Sequence, residues 1–168
     1  MENDTRPDPA LLFQPLIIGE KTLRNRIVMP PMVVNRGLTT REAWEWYGRR
    51  AAGGVSMVIV EATNSILFPG ELTADNLRPL VEAIHEGGAL AAIQVFPGRR
   101  GQSTKPADLS RQDIDHLVAQ FRVAADICAA AGFDGFEPHG AHRYLLNQFI
   151  SPVHNLRSDD YGGSLVNR

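Results

Sequence analysis

The sequence predicts an α/β fold built on a parallel sheet. Short apolar runs bounded by glycine recur four times along the 168 residues. They lack clean polar alternation, as expected of strands covered on both faces. Between them lie stretches with apolar residues at helical spacing and recognisable ends. Strand and helix thus alternate three times before a fourth strand, the pattern of right-handed βαβ crossovers. With 43% hydrophobic and 21% charged residues, the composition describes a globular chain with room for one core and is opposite to the disordered signature.

In chain order, residues 1–11 form a tail, and residues 12–23 read as two short strands about a Gly19-Glu20 turn. The first sheet strand is expected at Arg26-Ile-Val-Met-Pro-Pro-Met32. A helix follows from Arg41 to Ala52, with Thr40 as N-cap, Ala43, Trp46, Tyr47 and Ala51 on one face, and Gly53-Gly54 as the stop. The second strand is Val55 to Ala62. The second helix runs from about Leu77 to Glu86, capped by Asn76 or Asp75, with Pro79 in its first turn and Gly87-Gly88 at its end. The third strand is Leu90 to Phe96. The third helix starts at a capping box of Ser110 and Asp113 and repeats Ile114, Leu117, Val118, Phe121, Ala125 and Cys128 until Gly132. A weaker fourth strand spans Gly135 to His139.

Charge and cysteine content exclude several functions. Seventeen Lys+Arg against 19 Asp+Glu, with no dense basic run, point away from nucleic acid and anionic membrane. The single Cys128 forms no internal disulfide and no metal cluster, so a cytoplasmic location is expected and no metal. No segment approaches the roughly 20 apolar residues of a membrane span, and Met1 to Ala10 lacks the apolar run of a secretory signal.

Two frames fit the alternation: an open doubly wound sheet, or part of a (β/α)8 TIM barrel. A doubly wound nucleotide fold calls for a glycine-rich phosphate loop after its first strand, whereas this chain has Pro31-Met-Val-Val-Asn-Arg-Gly37 there, so the barrel is favoured. The hairpin would then plug the barrel floor. A full barrel takes about 250 residues; four strands by Arg168 make residues 12–168 its amino-terminal half.

The segment Ala131-Gly-Phe-Asp-Gly-Phe-Glu-Pro-His-Gly-Ala-His-Arg-Tyr-Leu-Leu-Asn-Gln-Phe-Ile-Ser-Pro152, followed by Asn155-Leu-Arg-Ser-Asp-Asp-Tyr-Gly-Gly-Ser-Leu-Val-Asn-Arg168, resembles the Old Yellow Enzyme family of FMN-dependent ene-reductases. Residues 26–32, Gly53-Gly54 leading into Ile59-Val-Glu-Ala-Thr63, and Gln94 support the resemblance, which runs from Leu12 to the last residue with several shortened loops. It implies hydride transfer from reduced FMN, recharged by NAD(P)H, to the activated C=C of an enone-like substrate. His139 and His142 would hold the carbonyl oxygen, where negative charge develops. Tyr144 would deliver a proton to the α-carbon. Pro31, Met32, Val33, Ala62 and Gln94 would line the flavin, Gln94 at its pyrimidine edge. Glu61 and Glu137 read as structural partners, and Asp159, Tyr161, Gly162, Gly163, Asn167 and Arg168 as a structural turn.

Several positions depart from the family pattern. Val33 stands where Thr or Cys is usual beside the flavin, and Asn35 lies where many relatives place a Tyr. No His follows Gln94, and either Arg99 or Arg100 takes the family arginine's place. Arg143 replaces a glycine beside the proposed proton donor, a cation that either excludes substrate or recruits an anionic one. The family's second half, with its phosphate-binding loops, has no counterpart in these residues, which implies either a truncated piece or a second polypeptide supplying it, or self-association. Two other functions fit the sequence: a flavin-independent barrel using His139, His142, Arg143 and Tyr144 for acid/base isomerisation or cyclisation, and a non-catalytic structural subunit.

Overall fold

In the computed structural model, which describes residues 8–98 and 105–168, the chain enters through the expected hairpin. Strands β1 (Leu16–Ile18) and β2 (Lys21–Leu23) pair antiparallel. There follow β3 (Val28–Met29), α1 (Arg41–Ala52), β4 (Met57–Asn64), α2 (Ala74–Glu86), β5 (Leu90–Phe96), α3 (Arg111–Ala131), β6 (Gly135–Pro138) and α4 (Leu145–Ile150). Strands β3, β4, β5 and β6 lie side by side in that order, every pair parallel. This is the order and sense of the first half of a barrel.

The helices cover one face of the sheet. Val58, Val60, Ala91, Ile93 and Val95 meet Tyr47 and Ala51 of α1, the Leu77, Leu80, Val81 and Ile84 stripe of α2, and Ala124, Cys128 and Ala131 of α3. Burial of each large aliphatic side chain contributes about 1.5–3 kcal/mol. Helix α3 ends at Gly132, whose φ of +101° suits a residue without Cβ.

The hairpin is tied to the entry ends of the strands, as a floor plug requires. Lys21 Nζ donates to Asp134 Oδ1 at 2.7 Å, just before β6, and Asp134 Oδ2 accepts from the Ala91 N–H and lies 2.8 Å from His85 Nε2. Arg24 donates to the carbonyls of Ala51 and Val55, and Asn25 to that of Gly54, all ahead of β4.

Several expectations need correction. The first strand shrinks from residues 26–32 to Val28–Met29 because the two prolines that follow cannot donate to a ladder. The second strand reaches Asn64 instead of ending at Ala62. Helix α2 begins at Ala74, capped by a Thr73–Asn76 box, so Asp75 and Asn76 are inside it and Pro79 lies beyond its first turn. On α3, Ala124 takes the buried face, Ala125 is half-buried and Val118 is exposed. Helix α4 was not expected; its six residues have no side-chain cap to announce them. Arg99 and Arg100 lie outside the described residues.

Candidate active site

The carboxyl ends of the four strands converge on one cavity of about 140 Å³, lined by Pro31, Val33, Ala62, Gln94, Phe96, His139, His142 and Tyr144. Pro31 follows β3, Ala62 lies in β4, Gln94 and Phe96 end β5, and the two histidines and the tyrosine follow β6. Active sites of (β/α)8 barrels gather at this end. A larger cavity of about 470 Å³ adjoins it, sharing Val33, Ala62 and Phe96 and extending past Asn35, Thr63, Asn64 and Glu71.

His139 is 4% exposed, and its ring is held at both nitrogens. The Ala141 N–H donates to Nδ1 at 3.2 Å, and Nε2 lies 3.4 Å from His142 Nδ1. An Nδ1 that accepts places the neutral ring's proton on Nε2, which then donates toward His142 Nδ1. His142 in turn carries its proton on Nε2. At 3.4 Å the link between the rings is weak enough to be exchanged for a shorter bond to a ligand oxygen. Burial, then the neighbouring His142, lowers the pKa of His139 below its ordinary 6.5, keeping the ring neutral.

Tyr144 is 43% exposed. Its ring stacks on Phe96 at 5.9 Å between centroids and meets the edge of His139 at 4.8 Å. Its hydroxyl makes no hydrogen bond among the described residues. His142 and Arg143 adopt φ of +55° and +59°, a left-handed geometry costing non-glycine residues roughly 1–2 kcal/mol each. Helix α4 holds this turn: Asn147 Oδ1 accepts from the Arg143 N–H at 3.2 Å, and Gln148 Nε2 donates to the Arg143 carbonyl at 2.8 Å.

Gln94 Nε2 donates to Glu137 Oε1 at 2.5 Å, while its Oε1 has no partner among the described residues. An anchored amide with a free acceptor on a cavity wall fits the N–H of a flat heteroaromatic ring. Glu61 accepts from the N–H groups of Val34 and Asn35 and so fixes the segment carrying Val33. Both glutamates are thus the structural partners the sequence suggests. Arg157 makes two bonds to Asp159, at 2.9 and 2.5 Å, and two more to the carbonyls of Pro106 and Leu109.

The cavity therefore gathers every sequence-predicted site residue except Met32, which is 59% exposed, and Arg143, which reaches toward His154. Phe96, Asn147, Gln148 and His154 were not singled out from the sequence. Phe96 carried a signal, as an aromatic two residues after Gln94 on the same strand face; the others did not.

The comparisons with known proteins decide the family. The sequence profile of the NADH:flavin oxidoreductase / NADH oxidase family matches residues 11–105 and 99–168. The chain belongs to that family. Among its relatives, an NADPH dehydrogenase of Clostridium acetobutylicum is 34% identical over 189 residues, covering 94% of this chain and 56% of the relative. One of Listeria welshimeri is 37% identical over 190, with the same coverage. Both alignments are longer than the chain itself, in keeping with shortened loops. Among solved structures, morphinone reductase in complex with tetrahydroNAD superposes with a TM-score of 0.78 at 27% identity, covering 93% of this chain and 56% of that one. The old yellow enzyme homologue from Zymomonas mobilis gives 0.77 at 27% identity, with the same coverage. The chain spans about half the length of the curated relatives it matches, and the fold is the amino-terminal half of their barrel.

Proposed function

We propose that this chain is the amino-terminal half of an FMN-dependent ene-reductase, completed by a second polypeptide or further chain that supplies the remaining four βα units and the phosphate site. The observation that carries this is the single cavity uniting Pro31, Val33, Ala62, Gln94, His139, His142 and Tyr144. Pro31, Ala62 and Gln94 would hold the flavin ring, with Gln94 Oε1 at its pyrimidine edge and Met32 offering backbone groups. Hydride for the β-carbon of the alkene would come from a bound flavin, which NAD(P)H would recharge.

The chain's own residues do the rest. The Nε2–H groups of His139 and His142 donate to the substrate carbonyl, whose oxygen gains negative charge as hydride arrives. Tyr144 gives its phenolic proton to the α-carbon, so that the alkene gains one hydride and one proton overall. Phe96 keeps the ring in place, and the adjoining larger cavity gives the substrate's remainder room. Stopped-flow kinetics of the Tyr144→Phe variant test this. Enone reduction is expected to slow by about 10²-fold, far more than flavin reduction by NADPH. An undiminished rate removes Tyr144 from the proton step. Turnover of an enone isomer by a colourless, flavin-free complex would instead favour acid/base chemistry.

A further inference from the structure

We propose that Glu137 is a positioning residue for the flavin: acting through Gln94, its carboxylate fixes the orientation of the amide that receives the N–H of the flavin's pyrimidine edge. The proposal rests on the flavin reading above and deepens it.

Gln94 of β5 and Glu137 of β6 are register partners on adjacent parallel strands. Strand alternation turns Ala91, Ile93 and Val95 toward the helices, and Gln94 and Phe96 toward the cavity. On β6 the same alternation sets Glu137 on the side of His139, another residue of the cavity wall. The preceding register pair on that face, Ala92 and Gly135, approaches so closely that a Cβ on the glycine would stand 3.2 Å from Ala92 Cβ. Gln94 and Glu137 are thereby held side by side.

Gln94 is buried and Glu137 half-buried, and Gln94 Nε2 donates to Glu137 Oε1 at 2.5 Å. Of the polar side chains on the cavity wall, Gln94, His139, His142 and Tyr144, only Gln94 is bonded to a charged side chain among the described residues. An amide turned by half a rotation has almost the same shape, so hydrogen-bond partners rather than packing choose between its two ends. A carboxylate only accepts, so the nitrogen faces Glu137 and the oxygen lies on the other arm. A charged acceptor holds that choice about twice as strongly as a neutral one. The pyrimidine edge of a flavin carries one N–H between two carbonyl groups. An Oε1 presented there meets the N–H, whereas a turned amide would set donor against donor. Without Glu137 both orientations become accessible, and binding must first select one.

The test uses the protein in the assembly in which it is isolated, freed of flavin and titrated with FMN, with fluorescence giving the dissociation constant. Glu137→Leu, which removes the acceptor at similar volume, is expected to weaken FMN binding by about tenfold. Glu137→Gln retains an acceptor oxygen and is expected to stay within about threefold of the wild type. Gln94→Leu is expected to lose at least as much as Glu137→Leu. The double variant is expected to bind FMN no more weakly than Gln94→Leu alone, because Glu137 acts only through the amide. Additive losses in the double variant, undiminished binding in Glu137→Leu or Gln94→Leu, or no rescue by glutamine overturns the assignment while leaving the flavin reading standing. Failure of both Glu137→Leu and Glu137→Ala to fold also overturns it, since that places Glu137 in the scaffold. A wild type that binds no FMN would overturn the flavin reading itself, and the positioning role with it.

Discussion

The Ala141 N–H decides which nitrogen of His139 carries the proton, and through it the state of His142. A protonated His139 would bear a hydrogen on Nδ1, facing a donor and losing its acceptor. Burial and then the adjacent His142 hold its pKa below the ordinary 6.5. Below pH 6.5 the unfolded chain therefore binds this proton more readily than the folded one, and folded stability is lost as pH falls toward the depressed value. Thermal unfolding at about pH 7.5 and pH 5.5 is expected to show a larger loss for the wild type than for His139→Gln; equal losses would contradict a neutral His139. The sequence made the His139, His142 and Tyr144 constellation legible, because these residues sit in one short segment after a strand. It did not reveal the left-handed turn, nor that Asn147 and Gln148 hold it, because those bonds depend on an unannounced helix folding back.

Elements in this fold are fastened at two kinds of contact. Gly87 has a φ of −71°, which any residue adopts, so it is not there for its backbone freedom. A Cβ on it would stand 2.5 Å from Ala51 Cβ and 2.7 Å from Ala52 N, so the residue lets α2 end against α1. Gly87→Ala is expected to destabilise the protein by about 1–3 kcal/mol through overpacking, measurable by urea unfolding; no change would mean that α1 shifts freely. The sequence gives this position as a helix stop, which is correct in place and different in cause. The other fastening is Asp134. Burial raises its pKa, but the Lys21 ammonium, the Ala91 N–H and His85 outweigh that and hold it below the ordinary 3.8. Its stabilisation is complete above that value and is lost as pH falls through the depressed one. Asp134→Asn is expected to loosen the hairpin, with earlier amide exchange at Thr22 and Leu23 and a smaller loss of stability between about pH 5 and pH 2 than in the wild type. Unaltered exchange in the hairpin would show that Arg24 and Asn25 suffice. Lys21 and Asp134 lie far apart in sequence, so periodicity had no means of pairing them.

Strands β3 and β6 each have one unpaired side among the described residues, and the sheet face opposite the helices is only partly covered. Met57 and Ile59 remain half-buried there, while Val28 and Met32 are exposed at the β3 margin. Free strand edges beside apolar surface favour association. The alternation of strands and helices made this half-barrel legible from the sequence, since each strand reads as buried on both faces. What covers the open side is a property of residues outside it. A flavin reductase half-barrel that works once completed can be tested by native mass spectrometry of the protein purified without denaturation from its own source. The predicted result is a particle containing this 18.5 kDa segment, a complementing polypeptide stretch of similar size, and one FMN. A stable, flavin-free particle with the mass of this segment alone would contradict it.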